Sequence, residues 1–203
     1  MIRTDRKPRK RLDPDTRRSA ILEAGAELFA TRSYPEVTIS EVAAAAEGSA
    51  ALVYRYFGGK AELYAEIVGL AIDELARRQR EALATLDAGV PVRDKIRAAT
   101  LVYLDHIVSH PEAWALPLRN PGGEPASVAD LRARARSSYV QELRGLLSPS
   151  DQGRHEYALA GYFGFLDAAC LRWVERGCPE KERWALVDSA LGCLQGALGD
   201  WAA

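Results

Sequence analysis

The stretch Thr38–Lys60, TISEVAAAAEGSAALVYRYFGGK, decides how the chain is read. Thr38 followed by Glu41 is a capping-box pattern, in which the two side chains reciprocally satisfy backbone N–H groups at a helix start. Ile39, Val42, Ala43 and Ala46 recur at helical spacing and give that helix its buried face. Glu47-Gly48 breaks it, Ser49 caps a second short helix, and Leu52, Val53 and Phe57 are the apolar anchors of the second. Gly58-Gly59 closes this helix, and a long one from about Lys60 carries Leu63, Ile67, Leu70 and Leu75.

Upstream, Asp13-Pro14 is an N-cap followed by proline at the first helical position. Ile21, Ala24, Leu28 and Phe29 continue the period to about Ser33-Tyr34, where Pro35 stops it. Two short helices joined by a tight turn and packed on a longer one describe a helix-turn-helix, whose second helix enters the major groove of DNA. Here that helix leaves Ala50, Ala51, Tyr54, Arg55 and Tyr56 for outside work. Two tyrosines flanking an arginine are costly on a soluble surface without a partner; the alternative is that both half-bury against the next helix.

Downstream the periodicity predicts helices over 91–109, 111–117, 126–147, 153–176 and 180–200, with Pro117–Pro125 as the clearest break. The fold class is all-α. The chain divides into a basic flexible arm (1–13), a three-helix DNA-binding domain with the helix-turn-helix (14–60) and a larger helical domain (61–203). Net charge is −1, but residues 1–60 carry 11 Lys/Arg against 8 Asp/Glu, and residues 1–18 carry eight against three. Such an arm suits phosphate contact, and it equally suits a solvated tail.

With 48% hydrophobic and 27% charged residues the composition is that of a soluble globular protein. No stretch is apolar enough to span a bilayer and none reads as a secretory signal, so no membrane partner is expected and cytoplasmic residence is. Cys170, Cys178 and Cys193 match no zinc spacing and read as buried apolar thiols. His106, His110 and His155 are scattered, and no catalytic or metal constellation stands out. No enzyme activity, metal or cofactor is expected.

Residues 17–68 resemble the DNA-binding domain of the tetracycline-repressor (TetR) family of bacterial regulators. The resemblance is carried by Ile21-Leu22, Ala24, Leu28-Phe29, Tyr34, Thr38-Ile39, Glu41-Val42-Ala43, Ser49, Tyr54, Tyr56-Phe57, Lys60 and Leu63. It implies that Thr38, Tyr54, Tyr56 and Lys60 contact phosphates and that Arg55 reads a base, with Ser49 in the same DNA-facing set. Ala50 and Ala51 would pack on a thymine methyl or let the helix approach closely. Ser33 and Glu47 stand where the family usually has glycine, and Ala51 replaces a frequent glycine in the recognition helix. If Glu47 must adopt positive φ, the cost is about 1 kcal/mol; otherwise the turn is shifted by one residue to Gly48.

The resemblance further implies that the larger domain binds a ligand and dimerises. Tyr103, His106, Trp114, Tyr139, Phe163, Leu166 and Cys170 are the candidate pocket residues, although each alone also reads as core. His106 reads more readily as a hydrogen-bonded structural histidine, and Arg132, Arg134 and Arg136 read as a solvated helix face. Gly161, Gly164 and Ala168, with Gly192, Gly196 and Gly199, form small-residue stripes that would let helices pack across a two-fold axis or within one chain. The expected function is a transcriptional regulator, a repressor that binds a palindromic double-stranded DNA operator as a homodimer and is released by a small-molecule effector. The alternative is an all-helical small-molecule-binding protein or enzyme with a vestigial DNA-binding domain.

Overall fold

The computed structural model of the protein describes residues 13–147 and 153–199, and the expected arm lies outside them except for Asp13. The Asp13 carboxylate accepts from the backbone N–H of Asp15 (3.1 Å) and Thr16 (3.0 Å), starting α1 (Pro14–Phe29). α1 ends before the expected Ser33-Tyr34. Ser33 instead donates its N–H to Glu36 (2.8 Å) and opens a single 3-10 turn over Tyr34–Glu36. α2 (Ile39–Ala45) and α3 (Ala50–Phe57) begin at the expected caps. Gly58 leaves α3 at φ +80°, and α4 (Lys60–Ala84) begins after Gly59.

The remaining helices are α5 (Val92–Ser109), α6 (Pro111–Arg119), α7 (Ala126–Leu146), α8 (Gly153–Glu175) and α9 (Arg183–Leu198). α6 runs past the expected stop and carries Pro117 inside it, so the predicted loop opens only at Asn120. The expected last helix is in two pieces, a 3-10 turn at Glu180–Glu182 and then α9, which Gly199 ends at φ +84°. Among the described residues no helix is long and apolar enough to cross a membrane.

Two apolar cores organise these helices. The first joins Ile21 and Phe29 of α1, Val42 of α2, Val53 and Phe57 of α3, and Leu63, Tyr64 and Val68 of α4. It does not stop at residue 60, and it includes the fully buried Val128 of α7. α7 therefore closes the N-terminal unit although it is remote in sequence. The second core packs α5, α8 and α9 around Leu104, Ile107, Leu166, Trp173, Leu191 and Leu194. Leu70, one of the apolar residues the sequence places on α4, is 49% exposed.

Candidate functional site

α3 buries Val53 and Phe57 and turns Ser49, Ala51, Tyr54 and Arg55 outward. The tyrosines divide between the two readings: Tyr54 is 55% exposed, whereas Tyr56 packs against the first core. Ala50 also leans on that core, leaving Ala51 as the outward methyl. Ser49 makes no side-chain capping bond. Arg55 is exposed and makes no hydrogen bond or ion pair to another described residue.

The turn before α3 keeps its left-handed residue at Glu47, with φ +50°. Gly48 N–H donates to Ala43 C=O (2.7 Å) and Glu47 N–H to Ala44 C=O (3.0 Å). This 6→1 and 5→2 pair is a Schellman motif with glutamate at the position that favours glycine. The turn is therefore not shifted to Gly48. Ser33, by contrast, has φ −65° and incurs no such strain.

Thr38 caps α2 with its hydroxyl engaged on both sides. It donates to Glu41 Oε2 (2.7 Å) and accepts from the Glu41 N–H (3.2 Å), while its own N–H donates to Glu41 (2.8 Å). The Arg32 guanidinium and then Thr38 hold the Glu41 carboxyl down to about 2. A phosphate at Thr38 would have to take the hydroxyl from Glu41. Lys60 starts α4 with Nζ 4.2 Å from the Tyr34 ring centroid, and burial lowers its pKa.

Two arginines that the sequence reading left unassigned lock this unit. Arg17 donates to Ala46 C=O (3.2 Å) at the end of α2. Arg18 pairs with Glu66 (2.6 Å) and lies 4.8 Å from the Phe57 ring centroid, tying α1 to α3 and α4. Gly25 marks the close approach of α1 to α4: a Cβ there would meet Ile67 Cδ1 at 2.9 Å. Its signal in the sequence was a glycine inside an otherwise good helix.

Where the two cores meet, a cavity of about 920 Å³ runs along α4. Phe29, Tyr64 and Val68 wall it on one side, and Ile96, Leu143, Tyr162 and Leu166 on the other. Of the expected pocket residues, Tyr103, His106, Trp114, Tyr139, Phe163 and Leu166 line it. Cys170 does not; it is fully buried in the second core, and burial pushes its thiol pKa up. Cys178 and Cys193 are free and only half-buried, so the buried-thiol reading fits Cys170 alone.

The polar groups of the cavity are unequally satisfied. Trp114 Nε1 donates to Tyr103 Oη (2.7 Å). Thr100 spends its proton on Ile96 C=O (2.8 Å), so Tyr162 donates to Thr100 across 3.0 Å. The Tyr139 hydroxyl is buried with no partner among the described residues. Burial, with the nearby His110 and Arg78, lowers the His106 pKa to about 4, so the ring is neutral at neutral pH. The solvated-face reading of the α7 arginines holds only for Arg134. Arg136 pairs with Asp167 over the Phe163 ring, and Arg132 pairs with the nearly buried Glu124 (3.0 Å).

On the far side of the second core, Gly161, Gly164 and Ala168 of α8 and Gly192 and Gly196 of α9 are exposed. A Cβ added at any of the four glycines would meet nothing within 4 Å, so packing within the chain does not use them. Gly199 differs: its positive φ ends α9 beside Arg154.

Comparison with known proteins bears on these features. Residues 21–67 match the profile of the family described as bacterial regulatory proteins, tetR family. The HTH-type transcriptional activator FasR of Mycolicibacterium smegmatis is 32% identical over 110 residues, covering 54% of this chain and 49% of that relative. The match thus spans about half the length of that relative. A tetR-family transcriptional regulator from Streptomyces coelicolor superposes with a TM-score of 0.80 at 23% identity, over 94% of this chain and 84% of the other. The regulator FadR from Bacillus subtilis, solved in complex with stearoyl-CoA, superposes at 0.70 and 17% identity, over 87% and 96%. The matched residues are those that build α1 to α4, the part of the chain that carries the helix-turn-helix. Residues 21–67 thus carry the DNA-binding domain of the tetR family of bacterial regulatory proteins, on a fold shared with solved regulators along most of the chain.

Proposed function

We propose that the protein is a repressor that reads a palindromic operator as a homodimer through α3 and is released by a small molecule held in the cavity. The observation that carries this reading is that Phe29 and Tyr64 belong at once to the core that supports α3 and to the cavity wall. A molecule seated there touches the residues on which the DNA-facing helix rests. Arg55 is the base reader, because it is exposed and uncommitted and a guanidinium can bond both acceptors of a guanine. Tyr54, Tyr56, Ser49, Thr38 and Lys60 hold phosphates, and Ala51 lets the helix approach the groove, with Ala50 behind it.

The exposed small residues of α8 and α9 are the proposed dimer face, flanked by Tyr157 and Trp184, which are 82% and 56% exposed. Two copies would place their α3 helices about 34–36 Å apart, one turn of DNA. The test is a gel-shift titration against the DNA flanking the protein's own gene. Binding to random DNA as tight as to that flank overturns the reading. The name of the mycobacterial relative, an activator, favours a second reading in which operator binding promotes transcription. A reporter on the flanking promoter separates the two, since deleting the regulator raises output under repression and lowers it under activation.

A further inference from the structure

The cavity reaches along α4 from Tyr64 to Leu83, a span of about 28 Å at 1.5 Å per residue. Its walls are apolar and aromatic, and the exposed Leu70 and Leu118 extend that character to the mouth. The two half-exposed arginines that α7 adds to the lining are already committed: Arg136 to Asp167 and Arg132 to Glu124. At the solvent-facing rim stand Glu23, Glu27, Glu74 and Glu142, against the single exposed Arg80. Glu74 is itself paired with Arg77. This rim repels an anionic headgroup. The interior is equally hostile to negative charge, since burial and Asp167 push the Tyr103 phenol far above its ordinary value.

What the interior offers is uncharged donors. The Tyr103 oxygen already accepts from Trp114, and among the described residues no acceptor is bonded to its own proton. Among the described residues the Tyr139 hydroxyl has no partner. A buried hydroxyl left unpaired is destabilising, and an acceptor on a bound molecule removes that cost. The one cavity carboxylate held inside, Asp167, is spent on Arg136 and does not call for a cation.

We infer that the cavity takes an uncharged, elongated apolar molecule whose carbonyl oxygen accepts hydrogen bonds from Tyr103 and Tyr139, and that it excludes phosphate-bearing thioesters. This rests on the proposed role of the cavity as the effector site. It separates the protein in ligand chemistry from its structural neighbour solved with stearoyl-CoA.

The test is calorimetric titration of the full-length protein with four probes of one chain length: decan-2-one, decanoate, decanoyl-CoA and decyltrimethylammonium. The ketone binds at least tenfold more tightly than the other three. Tyr139→Phe weakens the ketone about fivefold, one neutral hydrogen bond, and raises the melting temperature of the ligand-free protein by a few degrees, because it removes a buried hydroxyl that has no partner among the described residues. Tyr103→Phe weakens it similarly, with some loss of stability from the broken Trp114 bond. Decanoyl-CoA, decanoate or the quaternary amine binding as tightly as the ketone overturns the inference. So does an unchanged ketone affinity in Tyr139→Phe, or no binding by any probe. A ketone that binds as described and yet fails to release the operator in a gel shift would leave the ligand class standing and refute the effector role.

Discussion

Glu47 is the position where the helix-turn-helix is strained, and the strain can be measured. An L-residue in the left-handed region costs about 1–2 kcal/mol relative to the right-handed one, and glycine does not carry that cost. Comparing Glu47→Gly with Glu47→Ala removes the carboxylate in both, so whatever the glutamate side chain contacts cancels. Glycine carries an opposing entropic cost in the unfolded chain of about 0.4–1 kcal/mol. The net expectation is that Glu47→Gly is more stable than Glu47→Ala by about 1 kcal/mol. For a chain of this size that is roughly 2–4 °C in melting temperature, read by circular dichroism.

Gly48 supplies the control. Its φ is not positive, and a Cβ there would meet Ala43 O and Leu52 Cδ1 at 3.7 Å, ordinary contact distances. Gly48→Ala should therefore be neutral or slightly stabilising. The reverse pattern, a damaging Gly48→Ala with indistinguishable Glu47 variants, would refute the Schellman assignment and mean that the turn is shifted by one residue. Neither change touches the outward face of α3, so operator affinity should stay within about twofold of the parent.

Three further outcomes follow from the geometry. Arg55→Ala should lose about 1–3 kcal/mol of discrimination at one base pair, whereas Lys60→Ala should weaken all sequences alike and flatten the salt dependence of a gel-shift titration. Gly164→Arg adds a side chain where nothing lies within 4 Å, so the monomer should remain folded; sedimentation equilibrium should then report monomer, and an unchanged dimer would exclude this face as the interface. His106 is depressed from 6.5 to about 4 when folded, so its contribution to stability is complete above pH 6.5 and is lost as pH falls through that range. The loss amounts to about 3 kcal/mol by pH 4, and thermal melts of His106→Gln across this range should be correspondingly flatter.

The N-terminal unit was legible because its signals are local. The Thr38–Glu41 box, the glycines after Phe57 and the Asp13-Pro14 start each act within a few residues. The cavity was legible as residue types but not as chemistry. That Arg136 faces Asp167, and that Arg132 faces Glu124 rather than water, depends on how α7 packs on α8 and on the loop before α7. Cys170 and Leu166 sit one turn apart on the same face of α8, and only how far the cavity runs along that helix decides which of them lines it. The glycine stripes were equally ambiguous until the fold showed that their Cβ positions open outward. Val128 shows the limit of local reading: nothing near it in sequence says that it completes a core built from α1 to α4.

The seating of α7 on the N-terminal unit also bears on how a ligand could be felt at α3. Arg132 lines the cavity and grips Glu124, which accepts from the Tyr64 hydroxyl at 3.2 Å. Tyr64 packs on Phe29 and Tyr34, with centroids at 4.6 and 5.2 Å, and Tyr34 lies under the Lys60 ammonium. An exposed ion pair would transmit little, since its partners simply resolvate. Glu124 is different: its side chain is only 9% exposed, so separating it from Arg132 and Tyr64 strands a carboxylate away from water. A ligand that shifts α7 against α4 must therefore carry Tyr64 with it or incur that penalty. α4 spans 25 residues, about 37 Å, so a tilt of about 5° at the cavity end displaces the other by about 3 Å, enough to spoil a 34–36 Å groove spacing. The coupling runs both ways: bound DNA must weaken the ligand by the same factor, and a molecule that fits both arrangements equally well cannot act as an effector however tightly it binds.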